Sequence, residues 1–156
     1  MLEAPGTYHH SLMTAAIAEQ AADAIGADSL LARVSSYYHD IGKLNAPQYF
    51  IENQGSGPNP HDPLTPTMSS LILSSHVKDG VVLGKKHNLD QAIIDNIEQH
   101  HGTTTIHFFY HKALELNKNT NMENFRYPGP RPRTKVAAIL MIADSSEAAC
   151  RALDDP

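Results

Sequence analysis

The chain has 156 residues, 41% of them hydrophobic with no Trp, and a formal net charge of -5, which is enough for one domain with a real core. An acidic balance argues against a surface that coats DNA or RNA polymers, although bound divalent cations would leave a site locally positive for an anionic substrate. A single Cys150 makes no internal disulfide and reads as a small buried or frayed residue. No apolar run approaches the roughly 18 residues of a membrane span, and residues 1–6 lack the charged and apolar regions of a signal peptide. The expectation is a soluble chain with no membrane contact of its own.

In chain order the segments read as helices separated by strong breakers, with no repeat or low-complexity tract, so the fold class is all-α. Gly6-Thr7 leads into an Ala-rich helix that stops at Gly26 and carries His10 in its first turn. Asp28 or Ser29 caps a second helix whose apolar residues Leu30, Leu31, Val34 and Tyr38 run into His39-Asp40, with Gly42 as terminator. Residues 47–66, punctuated by Pro47, Gly55, Gly57, Pro58, Pro60 and Pro63, read as a surface loop and lid candidate beside that helix end.

Thr65 or Thr67 opens a helix through Met68, Leu71 and Ile72 to His76, and residues 79–87 continue in a new direction. Asp90 caps the next helix, where Ile93, Ile94 and Ile97 form one apolar face and turn His100-His101 toward the core. Phe108, Phe109 and Tyr110 follow, read as core ahead of base-stacking surfaces. Residues 126–133 form a second rigid loop, and Thr134 caps a last helix whose Val136, Ile139, Leu140 and Ala143 face inward beside Asp144.

Seven side chains on these helices, His10, His39, Asp40, His76, His100, His101 and Asp144, are metal-capable. Four of them fall in adjacent pairs, and neighbours on a helix point about 100° apart, so each pair can serve two ions or clasp one from two sides. That favours a binuclear centre. Imidazole nitrogen mixed with carboxylate oxygen and no thiolate suits Mn, Fe, Co or Zn better than calcium or a Cys-rich structural zinc. His9, His61, His87, His107 and His111 read as surface or satisfied core residues.

His10-Ser11, His39-Asp40-Ile41-Gly42-Lys43, His76, His100-His101 and Asp144 together resemble the HD-domain metal-dependent phosphohydrolases. Pro5-Gly6-Thr7-Tyr8-His9-His10-Ser11, Tyr37-Tyr38-His39-Asp40-Ile41-Gly42-Lys43, Ser75-His76-Val77-Lys78-Asp79-Gly80 and Tyr127-Pro128-Gly129-Pro130 are more specific. They resemble the cytoplasmic HD domain of the PgpH-type, seven-transmembrane HD proteins, which hydrolyse cyclic di-AMP. The resemblance covers about residues 4–155. HD-GYP enzymes, which cut cyclic di-GMP, carry Gly-Tyr-Pro after the histidine pair, whereas Gly102-Thr103-Thr104-Thr105-Ile106 stands here.

The resemblance implies an HD helical bundle around two divalent ions, Mn or Fe. His10, His39, Asp40 and Asp144 would hold one, and His76, His100, His101 and the same Asp40 the other. Asp40 would bridge, since only a carboxylate has two oxygens for two cations. The implied activity is hydrolysis of cyclic di-AMP to linear pApA by in-line attack of a metal-bridging hydroxide, with Asp40 and Lys43 as the catalytic residues. Lys43 would also bind substrate, with Tyr110, Arg131 and Arg133 as further candidate contacts. The chain would be an excised single HD phosphodiesterase domain, residues 1–156, with Met1 a start added to a fragment. Its parent would lie in a bacterial cell membrane with this domain in the cytoplasm. Two other readings stay open: an HD hydrolase acting on cyclic di-GMP, (p)ppGpp or a nucleoside monophosphate, and a non-catalytic dinucleotide-sensing module.

Overall fold

Six helices account for most of the computed structural model, which describes residues 3–153. They are α1 (Pro5–Ala24), α2 (Ser29–Tyr38), α3 (Pro66–Lys86), α4 (Gln91–Gln99), α5 (His107–Leu116) and α6 (Lys135–Arg151). Single 3₁₀ turns lie at Ile41–Asn45, Pro47–Tyr49, Ile51–Asn53 and Met122–Phe125. Among the described residues the only β pairing is an isolated antiparallel bridge between Thr105 and Arg126, so the fold is all-α.

The helix starts follow local chemistry. Asp28, Thr65, Asp90 and Thr134 each accept a hydrogen bond from a backbone N–H of the first turn, satisfying donors that have no partner within the helix. α1 has no such cap and starts instead at Pro5, whose fixed φ suits a first helical position. His10 is therefore in the second turn rather than the first.

Ala18, Ala22, Ala32, Val136, Ile139 and Ala143 form the main core between α1, α2 and α6. Small alanines let these three helices approach closely, which brings the start of α1 beside the end of α6. A second cluster, Ile106, Phe109, Ala113 and Phe125, with Leu73, Tyr110 and Tyr127 packed on it, joins α5 and the turn before α6 to α3. Phe109 is buried while Phe108 is exposed, so only part of the aromatic run is core.

Three expectations are corrected by packing. α3 is one unbroken helix through Gly80; residues 79–87 do not turn away. Gly42 does not simply end α2: it lies inside the Ile41–Asn45 turn, pressed onto α3. A Cβ built there would stand 1.9 Å from the His76 carbonyl oxygen and 2.5 Å from the Gly80 nitrogen. Gly80 meanwhile leaves room for Ile97, which a Cβ would meet at 2.9 Å. This crossing of two glycines holds the Ile41–Asn45 turn on α3 and sets Asp40 against His76. Finally, residues 47–66 are only partly a surface loop, since Phe50 is buried and Glu52 reaches inward. Cys150 is exposed near the end of α6.

Candidate metal centre

Five elements deliver the seven metal-capable side chains to one place. His10 comes from α1, His76 from α3 and Asp144 from α6. His39 and His100 are the residues that close α2 and α4, both still near helical φ and ψ, so Asp40 and His101 continue one step round from them. The ligating atoms fall into two groups, Asp40 with His76, His100 and His101, and His10 with His39 and Asp144, each within 4.8 Å. Asp40 stands between the groups. Its Oδ1 lies 3.3 Å from His76 Nε2 and 3.7 Å from His100 Nε2. Its Oδ2 lies 3.3 Å from His39 Nε2 and 3.7 Å from His10 Nε2.

Ring orientation tests whether cations fit. The Nδ1 atoms of His39, His76 and His100 lie 2.7, 2.6 and 2.6 Å from the carbonyl oxygens of Ser36, Leu73 and Ile97, each three residues earlier. A carbonyl only accepts, so Nδ1 carries the proton and, in the neutral ring, Nε2 is a bare lone pair. His76 Nε2 and His100 Nε2 nevertheless face each other at 3.2 Å. Two lone pairs that close repel unless a cation stands before them. His10 Nε2, His39 Nε2 and Asp40 Oδ1 are buried without a hydrogen bond, which is costly for groups of this kind. The donor set therefore fits divalent cations of the imidazole-and-carboxylate class.

The electrostatics of the two groups differ. Burial alone would push the carboxyls of Asp40 and Asp144 up, yet both are held well below the usual range, Asp40 by the charges of His39 and Lys43 and Asp144 by the imidazoles of His10 and His39 that face it. Burial opposes a charge on His39 as well, but Asp40 and Asp144 overcome it and raise that imidazole to about 10. His10 is raised too, burial being outweighed by Asp144 and Asp40. The other group is driven the opposite way. Burial lowers His76 and, joined by the charges of neighbouring histidines, takes His100 well down and His101 to about 3.

Lys43 lies at the rim. Its ammonium is 2.6 Å from Asp40 Oδ2 and 2.7 Å from Glu52 Oε1, and 5.0 Å from the Phe50 ring centre. Burial works against its charge, but the two carboxylates raise its pKa. The other candidate substrate contacts are not brought to the ligands. Tyr110 packs on Phe125, Arg131 is exposed and donates to Thr103 Oγ1 at 3.3 Å, and exposed Arg133 is tied by its backbone N–H to Gln99 Oε1.

Four residues around the centre carry no role in the sequence reading. Tyr127 stacks on His101 with ring centres 4.1 Å apart, linking the second core cluster to the ligands. Phe50 meets His76 edge-on. Glu52 holds Lys43 and accepts from Thr7 Oγ1 at 3.0 Å. Glu147 contacts His10 Nδ1, and only its place one helical turn after Asp144, on the same face, could have flagged it. Of the remaining histidines, His61 is buried, while His9, His87, His107 and His111 are exposed.

Comparison with known proteins finds relatives along nearly the whole chain. A family model described as HD domain matches residues 7–149. The cyclic-di-AMP phosphodiesterase PgpH of Bacillus subtilis (strain 168) is 51% identical over all of this chain, and that of Listeria monocytogenes serotype 1/2a (strain 10403S) is 53% identical over the same span. The chain spans 22% of the length of each of these relatives. The crystal structure of the L. monocytogenes phosphodiesterase PgpH HD domain in complex with cyclic di-AMP superposes with a TM-score of 0.96 at 54% identity, covering 99% of this chain and 72% of that one. With the HD motif set gathered into one buried cluster and a family match running nearly end to end, the chain belongs to the HD-domain family, in its PgpH-type branch.

Proposed function

We propose that this chain is the hydrolytic HD domain of a cyclic-di-AMP phosphodiesterase, a single domain belonging to a larger membrane-anchored protein, opening its substrate to linear pApA. The observation that carries the reading is the convergence of histidine Nε2 atoms on the two oxygens of Asp40, with Nδ1 of His39, His76 and His100 tied back to carbonyls so that Nε2 is the atom left for a cation. His10, His39, Asp144 and Asp40 Oδ2 would hold one divalent ion, and His76, His100, His101 and Asp40 Oδ1 a second, with Mn or Fe the best match to these ligands. Such ions neutralise phosphate charge and ease deprotonation of the attacking water.

The chain's own residues supply the rest. In the hydrolysis, water adds to phosphorus, one P–O3′ bond breaks and the 3′ oxygen takes a proton. Lys43, held charged between Asp40 and Glu52, is placed to meet negative charge developing on phosphate or leaving oxygen. Phe50 and Tyr127, against His76 and His101, shield the ligand rings from water. Full-length relatives named for cyclic di-AMP and an HD-domain neighbour solved with it favour this dinucleotide over others.

The test is turnover by the Mn- or Fe-loaded domain on a panel of cyclic di-AMP, cyclic di-GMP, ppGpp and AMP, with products resolved by chromatography. Conversion of cyclic di-AMP to pApA, well ahead of the others, is expected. Preference for another nucleotide would reassign the substrate. Tight binding without cleavage would make the domain a sensor.

Metal uptake should also be asymmetric in protons. At neutral pH, His39, raised to about 10, is protonated in the metal-free protein and must release its proton to ligate, whereas His101, lowered to about 3, is already neutral. One ion should therefore bind with proton release, its affinity climbing up to about tenfold per pH unit from 7 to near 10, while the other is insensitive over that range. Without metal the same shift acts on folding: the raised His39 contributes stability that is full below the unfolded value of 6.5 and lost as pH rises through about 10. Calorimetry in buffers of different ionisation enthalpy counts the protons; identical counts for both ions would contradict the assignment.

A further inference from the structure

Four of the candidate ligand histidines turn Nε2 toward Asp40 or Asp144, but they are held in that pose by two different devices. His39, His76 and His100 donate Nδ1–H to a carbonyl of their own helical segment. His10 instead turns Nδ1 to a carboxylate on another helix, Glu147 of α6, 137 residues away in sequence. Nδ1 and Nε2 lie on opposite edges of the ring, and His10 Nε2 stands 3.0 Å from Asp144 Oδ1. Glu147 is therefore behind the imidazole, outside the ligand cluster, where it can hold the ring without occupying the metal's place.

Glu147 is itself positioned. It follows Asp144 by three residues, so the same face of α6 carries both the candidate ligand and the support of its neighbour. Its side chain is only 10% exposed, and Arg151, one turn further on, lies 3.6 Å from its Oε2 and 3.8 Å from Glu52 Oε2. The line of contacts runs from His10 through Glu147, Arg151 and Glu52 to Lys43. A carboxylate behind a ligating imidazole fixes its tautomer and raises its basicity, and its loss typically costs about 10- to 100-fold in metal affinity.

We propose that Glu147 is the positioning residue of the ion at His10, making that ion's site the more anionic of the two and dependent on α6 twice over. This rests on the metal-centre reading above. The ion at His76, His100 and His101 is independent of Glu147, because the Nδ1 atoms of His76 and His100 are held by local carbonyls.

The test is a chelator-competition titration with Mn²⁺ alone on the whole domain, read as two affinities, for wild type, Glu147→Ala, Glu147→Gln, His10→Ala and the Glu147→Ala/His10→Ala double variant. Glu147→Ala should weaken one ion by about a hundredfold and leave the other within about threefold. Glu147→Gln, which still accepts from Nδ1–H through its amide oxygen, should lose about tenfold. The double variant should bind no more weakly than His10→Ala, since a residue acting through His10 has nothing left to act on. Thermal melts of the metal-free variants serve as the structural control. Unchanged affinities with a lowered melting temperature would overturn the proposal, as would equal weakening of both ions or additive losses in the double variant. A wild-type domain that takes up no Mn²⁺ would overturn it through the metal-centre reading instead.

Discussion

Asp40→Ala is expected to strip both ions at once and bring phosphodiester hydrolysis to the background rate. Each of its oxygens faces a different group of histidines at 3.3 Å, whereas Asp144, whose Oδ1 meets His10 and whose Oδ2 stands 3.6 Å from His101, reaches only one histidine of the second group. Elemental analysis of the dialysed variant should find less than a tenth of the wild-type metal. Asp40→Asn has the same shape but only one oxygen, and an amide NH₂ cannot ligate, so it should keep at most one ion. The loss should also show in the metal-free protein. Asp40 is the leading partner that raises His39 to about 10, so the His39 titration followed by NMR should fall by more than a pH unit. Removing one member of a buried ion pair can cost about 3 kcal/mol, but Lys43 retains Glu52 and the fold should survive. An Asp40→Ala protein that keeps two ions and its turnover would end the shared-carboxylate assignment.

Lys43→Ala should do the reverse, sparing the metals and slowing the chemistry. An ammonium 2.6 Å from Asp40 Oδ2 competes with a cation for that oxygen, so its removal should leave metal affinity unchanged or improved. Loss of a charge that acts mainly in the transition state typically lowers kcat by about 100- to 1,000-fold, with a smaller change in KM. Lys43→Met, which keeps the stem against Phe50, separates this from lost packing and should be equally slow. Wild-type turnover in both variants would leave Lys43 as a clamp between Asp40 and Glu52, with no part in the reaction.

The convergence of the seven metal-capable side chains was legible because they sit where helices end or face inward. His39 and His100 close helices whose caps, Asp28 and Asp90, can be read directly from the sequence, and Asp144 follows an apolar face whose period is plain. The supporting residues were not legible for a physical reason. Glu52, Phe50 and Tyr127 lie in irregular segments with no period to fix the direction of a side chain, and their contacts exist only once distant elements meet. The break expected after Lys78 failed similarly. Gly80 looks like a stop when the helix is considered alone, but in the fold it is the notch that receives Ile97 and lies against the Gly42 turn. Tyr110, a candidate substrate contact from the aromatic run, faces Phe125 instead, and it is Tyr127 that lies beside His101.

The two halves of the centre also close loops of very different size. His76 and His100 are 24 residues apart, whereas His10 reaches Glu147 across 137. The entropy of closing a loop grows with its length, so a cross-link between distant residues restricts the unfolded chain more than one between near neighbours. The three histidines of the His76 half come together as soon as α3 and α4 dock, with Asp40 added from the end of α2. The His10 half fastens the first helix to the last, so an ion held there would act as a clasp on nearly the whole chain, and the proposed metal supply would govern the survival of the folded domain as well as turnover.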